Sequence, residues 1–501
     1  PLQGATDWHG VITLRNNLAD IDIESSLRGM ASDLPAPFAK KASEALPLRI
    51  ERKTSQSAAG VQQEIISVNS QIFSALLLRS GDAKQTRFER GAIGFGVKPE
   101  LPSQSGLWLN GTLRHVDLDQ WRSLLAQDGG SGPPLLAGAD IGFGSVDVFG
   151  KRFNALHVSA VAQDEGWQAS LRGKELSGDV TWKPAAGGEG RNHGKVTGRF
   201  KTLAIPESAP PKPGVGAPDQ NLPALDIVAE NFQIKQRQLG RLELQAAQLG
   251  RDWRIEKLHL QNPDSVLQMD GVWHLPATEE EVQQADQPLT RVNLKVEVGD
   301  IGKFLARLNY PDNIKRGKAK LEGQLSWAGS PAELDYATLS GNMSLEAHNG
   351  QFSKVEAGIG KLLGILSLQA LPRHITLDFR DVFSEGFAFD DISGSMRIVR
   401  GVVYSDDFKM QGSAAIVAMS GEADLAHETQ KLRVRITPML GDSVSVAGAF
   451  LGGPVVGLAA LVVQKVLKDP IGRMASYEYR ISGTWSDPQV SKIQAQPAES
   501  Q

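Results

Sequence analysis

The residues that could do chemistry in this chain are histidines and carboxylates, because the sequence contains no cysteine. Its nine histidines occur singly, and His427 begins an HExxH-like stretch that lacks the second histidine of a zinc site. Asp390-Asp391 and Asp406-Asp407 are adjacent carboxylates. Neighbouring residues on a strand point to opposite faces, so each pair is a poor acid/base couple. We interpret both pairs as turn residues.

Loops that bind phosphates or nucleotides are also incomplete. Gly194 and Gly317 each precede a lysine, but the Ser or Thr that completes a phosphate loop is missing after both. Two Gly-Phe-Gly stretches, at 94–96 and 142–144, lack the third glycine of a dinucleotide fingerprint, and no GxSxG elbow occurs. The sequence therefore predicts a protein that is not an enzyme, with no cofactor and no metal site.

Charge excludes a further class of partner. The chain has 501 residues and a net charge of −4, and its basic residues form no long run. A protein that neutralises many phosphates carries a dense basic surface. We therefore predict no binding to nucleic acid. The length is that of about three ordinary domains or of one repetitive structure.

The elements that must position any site are strands with one apolar face. In RVNLKVEV, KLRVRI and HITLDF, apolar residues alternate with polar ones, the period that is typical of half-buried strands. Their apolar positions are Val292, Leu294, Val296 and Val298; Leu432, Val434 and Ile436; and Ile375, Leu377 and Phe379. Antiparallel sheets tolerate one wet face, whereas parallel sheets seldom do. We predict a mainly β protein with a long, twisted antiparallel sheet.

Helices are few and short. DLDQWRSLLAQ and DIGKFLARLNYP each begin with an aspartate suited to cap a helix, Asp117 and Asp300, followed by aliphatic, aromatic and leucine residues at matching positions. We interpret the two as copies of one unit. Glycine shortly before tryptophan also recurs, ending at Trp182, Trp273, Trp327 and Trp485. This pattern indicates similar β-modules, or simply residues that are common at strand ends.

Loop composition divides the chain. The Pro-rich stretch 206–224 is the best linker or long loop. We expect β-modules at 1–205 and 225–350, a further β region at 351–491 that contains two apolar helical segments, and a frayed tail at 492–501.

The apolar faces of so many strands need a cover, and the predicted helices are too few to supply it. Two facing sheets would solve the problem, as in a sandwich. A long sheet curled into a groove, with lipid against its apolar inside, would also solve it. The residues alone favour tandem sandwiches and leave both arrangements open.

Two apolar helical segments, 353–371 and 446–469, stand out near the C-terminus. In the second, Pro454 and Pro470 leave about 15 helical residues, or roughly 22 Å, which is short of a bilayer core of about 30 Å. The Gly-Gly-Pro break argues against one transmembrane span. A hydrophobic hairpin or re-entrant element, which would dock on a membrane or close a groove, is one interpretation, and a buried core helix is the other. The residues that would dock or close the groove are Ile359, Leu362, Leu363, Leu366, Phe450, Leu451, Val455, Leu458 and Val462.

Four longer stretches resemble a known family. Residues 25–48, 298–334, 339–369 and 387–425, together with the final YEYRISGTWSDPQV, resemble the YhdP proteins of the AsmA-like family, to which TamB is related. The resemblance runs through the whole chain and is most specific from residue 298 onward. It implies the C-terminal part of an envelope protein that is anchored in the inner membrane through an N-terminal helix absent from this chain, and that extends through the periplasm with its C-terminal end toward the outer membrane.

The resemblance also implies a function. Members of the family are long β-sheets curled into an apolar groove that carries phospholipid between the inner and outer membranes. The apolar strand positions given above, from Val292 to Ile436, would then line the groove, and the C-terminal helices would contact a membrane. The alternative is a structural or assembly protein of the envelope, built from closed β-sandwiches or acting in outer-membrane protein assembly.

Overall fold

The structure is a computed structural model, and strands make up most of what it describes. The predicted mainly β class is confirmed. The described residues are 2–15, 18–56, 61–81, 86–121, 136–163, 166–185, 194–206, 222–250, 252–274, 288–331, 333–353, 387–413, 415–439 and 476–493. By their contacts the residues fall into two units, Pro1–Leu242 and Glu243–Gln501.

The first unit is built almost entirely from strands. They are β1 (Leu2–Gly4), β2 (Trp8–Arg15), β3 (Leu18–Ser25), β4 (Met30–Ser32), β5 (Leu48–Gln56), β6 (Gln62–Ser70), β7 (Ser74–Gly81), β8 (Thr86–Phe95), β9 (Gly106–Asp117), β10 (Leu136–Val148), β11 (Lys151–Gln163), β12 (Gly166–Arg172), β13 (Leu176–Lys183), β14 (Lys195–Ile205) and β15 (Ala224–Ile234). β16 (Arg237–Leu249) contains the division between the units.

Most strands of the first unit pair with their neighbours in sequence. β2 pairs with β3, β3 with β5, and the order then continues to β15, while β1 pairs with β4. Three pairings are parallel: β8 with β9, β9 with β10, and β14 with β15. The antiparallel arrangement that alternation predicts therefore has exceptions, because alternation reports which face is buried and not the direction of the neighbouring strand.

The second unit is an antiparallel meander. Its strands are β17 (Asp252–Gln261), β18 (Ser265–His274), β19 (Leu289–Val298), β20 (Ile314–Ala328), β21 (Ser340–Phe352), β22 (Ala388–Val399), β23 (Val402–Gln411), β24 (Ala415–Asp424), β25 (Thr429–Pro438), β26 (Tyr477–Thr484) and β27 (Pro488–Ile493). Each pairs antiparallel with the next along the chain.

Helix is scarce in the described residues, as the sequence predicts. Helix α1 (Ile301–Arg307) follows β19, and the Asp300 side chain accepts a hydrogen bond from the Lys303 amide as its N-cap. A helical turn at 118–121 follows β9, and Asp117 accepts from the Gln120 amide in the same way. The two predicted aspartate caps are therefore confirmed. No helix within the described ranges has the length and hydropathy needed to span a bilayer.

The four Gly/Trp stretches end strands, as their composition indicates. Trp182, Trp273 and Trp327 are each the residue before the last of β13, β18 and β20, and Trp485 directly follows β26. Both interpretations of the pattern, repeated modules and ordinary strand ends, agree with these positions.

Candidate apolar binding surface

A single row of small and aliphatic residues crosses the first unit from β3 to β15. Each member lies opposite the next in the strand register, so all of them share one face of the sheet. This first-unit apolar row consists of Ile23, Ile50, Val68, Ala75, Ile93, Leu109, Ala139, Ala160, Ala169, Val180, Gly198 and Ile227. At about 4.8 Å per strand the row extends roughly 50 Å.

Most side chains in the first-unit apolar row are only half-buried. Ile50, Leu109 and Val180, for example, are neither fully covered nor fully exposed. Half-buried aliphatic side chains in one continuous line leave apolar area that a further apolar molecule can cover. The row is therefore an apolar surface that the protein itself leaves partly uncovered.

The second unit has a matching row that runs from β17 to β26. This second-unit apolar row consists of Leu260, Leu267, Val296, Leu321, Leu345, Gly394, Phe408, Met419, Val434 and Tyr479. Gly394 allows the row to continue, because a Cβ there would lie 2.9 Å from the ring of Phe408. The sheet thus keeps one apolar face across a bulge between β22 and β23.

Burial along the second-unit apolar row increases toward the C-terminal strands. Leu321 and Leu345 are half-buried, whereas Val434 is 2% exposed and Tyr479 is 1% exposed. Burial raises the pKa of the Tyr479 hydroxyl, since the charged form is poorly solvated there. Its hydroxyl makes no hydrogen bond to any described residue. The β24–β26 end of this face is therefore packed as a protein core.

The opposite face of the second unit is polar and paired. Asn293 donates to Asp270 across β18 and β19 at 2.9 Å, and Gln324 donates to Asn293 at 2.8 Å. Lys431 and Glu422 form an ion pair of 2.9 Å across β24 and β25. Cross-strand pairs of this kind stabilise the pairing of adjacent strands. This face is suited to water, which leaves the apolar face as the one that needs a cover.

Helix α1 covers one end of the second-unit apolar face. Ile301 belongs to the same buried cluster as Val298 and Ile314, and Phe304 and Leu305 pack against that cluster. Arg307 at the last turn bonds the buried carboxylate of Asp264, which directly precedes β18. The helix is therefore fixed at both ends, by the Asp300 cap and by this ion pair.

The predicted lining residues that fall within the described ranges lie together on that face. Val298, Leu432, Val434 and Ile436 belong to one buried cluster, and Val296 packs against it. Val292 belongs to a second cluster with Trp327 and Met343, against which Leu294 packs. The alternation of β19 and β25 that the sequence predicts is therefore observed, while a lining role for these residues stays a prediction.

Several predicted residues lie outside the described residues. They are the lining residues Ile375, Leu377 and Phe379, and the docking residues Ile359, Leu362, Leu363, Leu366, Phe450, Leu451, Val455, Leu458 and Val462. Of the two apolar helical segments, 446–469 falls wholly outside, and 353–371 does so from residue 354.

Strand alternation in the sequence also indicates apolar positions beyond the predicted lining residues. The first-unit apolar row was missed because many of its members are alanines, which give a weak apolar signal. Phe408, Met410 and Met419 alternate in β23 and β24 as clearly as the residues that were selected. The prediction that the two aspartate pairs are turn residues is wrong, since they lie inside β22 and β23. Their carboxylates form hydrogen bonds with neighbouring strands. Asp391 on β22, for example, is hydrogen-bonded to His348 on β21 at 2.7 Å.

A cleft of about 590 Å³ lies on the second unit among residues of β17 to β20. Its walls carry both signs of charge, with Lys257 and Lys295 beside Glu256 and Glu322. Among the described residues no three His, Asp or Glu side chains are grouped so that they could hold a metal ion. His259 and Asp270 also line the cleft, so this arrangement offers ion pairing and hydrogen bonding.

Comparison with known protein families shows to which family the chain belongs. The family model described as YhdP protein matches residues 1–490. The chain belongs to the YhdP family. The resemblance that the sequence showed is thereby confirmed.

One curated relative of the YhdP family is the "Intermembrane phospholipid transporter YhdP" of Escherichia coli (strain K12). It is 24% identical over 521 residues, which cover 99% of this chain and 39% of the relative. The chain thus spans well under half of that relative's length. No solved structure matches the chain significantly.

Proposed function

We propose that this chain takes part in phospholipid transport between membranes of the cell envelope, with acyl chains lying on the apolar faces of its sheets. The observation that carries the proposal is the first-unit apolar row, which is continuous from β3 to β15 and half-buried along most of its length. The printed name of the relative, an intermembrane phospholipid transporter, supports the same function.

The physical basis is replacement of one apolar environment by another. Burial of apolar surface is worth about 25 cal/mol per Å², so an acyl chain that leaves a bilayer for such a row keeps most of its stabilisation. The hydrocarbon half-thickness of a bilayer is about 15 Å, and a row of roughly 50 Å holds several chains end to end. No residue needs to bind tightly, and a lipid can move from strand to strand.

Location and direction complete the proposal. We place the chain in the periplasm, as the C-terminal part of a longer protein anchored in the inner membrane, with its C-terminal end toward the outer membrane. The segments 353–371 and 446–469 would contact a membrane or close the end of the apolar face. These assignments are supported by the family and by the apolar composition of the two segments.

Photo-crosslinking tests the function through strand parity. Val180 and Asp179 are neighbours on β13, with Val180 on the apolar face and Asp179 exposed on the other. A benzophenone-bearing residue at position 180 should capture phospholipid in cells, while the same residue at 179 should capture little, since acyl chains contact one face only. Leu294 and Lys295 on β19 give a matched pair in the second unit. Equal capture at both parities would contradict the proposal.

A structural or assembly role is the second candidate, and one observation favours it. The β24–β26 end of the second unit is packed as a core, with Val434, Ile436 and Tyr479 almost fully buried. A face that is already covered has no place for lipid. Native mass spectrometry of the protein purified without detergent separates the two functions. Co-purified phospholipid supports transport, and lipid-free protein throughout supports the structural role.

A further inference from the structure

The apolar face of the first unit contains one charged cluster. Arg52 lies two residues beyond Ile50 on β5, and Glu64 lies two residues before Ile66 on β6, so both side chains belong to the face that carries the apolar row. Arg79 lies opposite Glu64 on β7. Charged residues on an apolar face are unusual and need a partner or a function.

Glu64 lies between the two arginines and is closer to Arg79. Its side chain is 8% exposed, and one carboxylate oxygen lies 3.3 Å from Arg79 Nη1 while the other lies 3.9 Å from Arg52 Nη1. The closer contact is a hydrogen bond and the longer one is not. The cluster thus brings two guanidinium groups to one carboxylate.

Arg52 has bonding capacity left. Its Nη2 donates to the Ala19 carbonyl over 3.4 Å, and its Nε is buried without a hydrogen bond to any described residue. The side chain is 34% exposed and that of Arg79 is 40% exposed, so both guanidinium groups can be reached from the face. Guanidinium groups bind phosphate oxygens in a bidentate manner.

The neighbours of the cluster are apolar. Ile21, Ile66 and Leu77 lie in register with Arg52, in the line of residues next to the first-unit apolar row. Glu64 and Arg79 lie in the line beyond it. A ligand that satisfies this surface carries an anionic group at one end and hydrocarbon next to it.

We propose that Arg52, with Arg79 and Glu64, forms a site for the phosphodiester of a phospholipid whose acyl chains lie on the first-unit apolar row. This inference rests on the proposed transport of phospholipid and adds a defined position for the head group. Glu64 lies between the two guanidinium groups, and Arg52 keeps a donor that can bind the negatively charged phosphodiester. The site would hold a passing lipid in one orientation, with its head against β5–β7.

The test uses local capture in the full chain. A benzophenone-bearing residue replaces Leu77, beside the cluster, and in a second protein it replaces Val180, far from it in the sheet order. Each protein is incubated with dioleoylphosphatidylglycerol or with dioleoylglycerol, which has the same chains and no phosphate, and captured lipid is measured by mass spectrometry. Arg52→Gln should lower capture of the phospholipid at position 77 about tenfold, the loss expected for one charge-assisted contact. Capture of dioleoylglycerol at 77, and of both lipids at 180, should stay unchanged.

Two further variants keep the result interpretable. Arg49→Gln is the matched control, because Arg49 lies on the same strand but on the opposite face, where it pairs with Asp22 at 2.6 Å. It should leave capture at position 77 unchanged. Glu64→Gln removes the competing carboxylate and should raise phospholipid capture at 77, whereas a purely structural cluster would show a fall for both Arg52→Gln and Glu64→Gln. That joint fall would overturn the site.

The remaining outcomes separate the source of the phosphate and the proposed function. Excess inorganic phosphate should not suppress capture at position 77, and full suppression would assign the cluster to a soluble anion and not to a lipid. If the unsubstituted protein captures neither lipid at 77 or 180, the transport function itself fails and the site fails with it. If both lipids are captured and Arg52→Gln changes neither, only the phosphodiester site is wrong.

Discussion

At the scale of single residues, Asp407 shows what the paired carboxylates do. The register between β22 and β23 shifts between Ser393 and Arg397, so the Ser395 amide has no regular partner in the ladder. The Asp407 carboxylate accepts hydrogen bonds from that amide at 2.8 Å and from the Ser395 hydroxyl at 2.7 Å. These bonds, the amide first, hold the pKa of Asp407 below its usual range. The carboxylate therefore stabilises the irregular pairing of β22 and β23.

The lowered pKa of Asp407 gives a pH-dependent prediction. A carboxyl whose pKa is lower in the folded state stabilises the fold above its unfolded value, about 4, and this stabilisation is lost as the pH falls through the folded value. Asp407→Asn should lower the free energy of unfolding at pH 7 by at most about 1 kcal/mol, since the group is exposed. Asparagine resembles the protonated carboxyl, so the difference should vanish in acid.

Urea unfolding at a series of pH values measures this difference. Asp406→Asn is the control, because Asp406 is the exposed neighbour on the same strand. A destabilisation by Asp407→Asn that stays constant down to the acid limit would show that the charge of Asp407 is not what matters.

At the scale of elements, the stability of helix α1 depends on one ion pair, because the helix is short. A helix of seven residues is not stable by itself. Arg307 bonds Asp264, whose side chain is 9% exposed, and so connects the last turn of α1 to the start of β18. Loss of the arginine would leave a buried carboxylate without its cation, which is costly.

Arg307→Gln should therefore lower the free energy of unfolding by about 2 kcal/mol, less than for a fully buried pair because Arg307 is 24% exposed. Lys303→Gln on the same helix is the control. Lys303 is 71% exposed and 3.5 Å from Asp300, and its removal should cost less than about 0.5 kcal/mol. The urea midpoint, followed by circular dichroism, reports both. Similar losses for the two variants would show that Asp264 does not depend on Arg307.

At the scale of the whole molecule, alternation in the sequence determined which side chains share a face. Val292 and Val298 on β19 and Val434 on β25 are buried as their spacing predicts. Alternation could not predict the direction of neighbouring strands, because side chains alternate with a period of two in both parallel and antiparallel pairs. The parallel pairings of β9 and β14 therefore came only from the structure. Arg52 was visible in the sequence at an apolar position of RIERKTS, but only the register brought it to Glu64.

Neighbour-only pairing in the second unit predicts graded protection of backbone amides. Among the described strands β27 pairs with β26 alone, whereas β20 lies between β19 and β21. Opening a terminal strand breaks one interface, and opening an interior strand breaks two. Hydrogen exchange measured by mass spectrometry should therefore be faster in β27 than in β20 and β21. Uniform protection across these strands would indicate one cooperative block.

The same meander makes the length of the sheet adjustable by evolution. Because each strand from β17 to β27 contacts its chain neighbours in the ladder, a hairpin can be inserted or deleted without rearranging the others. The apolar line simply gains or loses two positions. Each added strand lengthens the sheet by about 4.8 Å. The length of such a sheet therefore follows from the number of its strands, and duplication of a hairpin is enough to extend it.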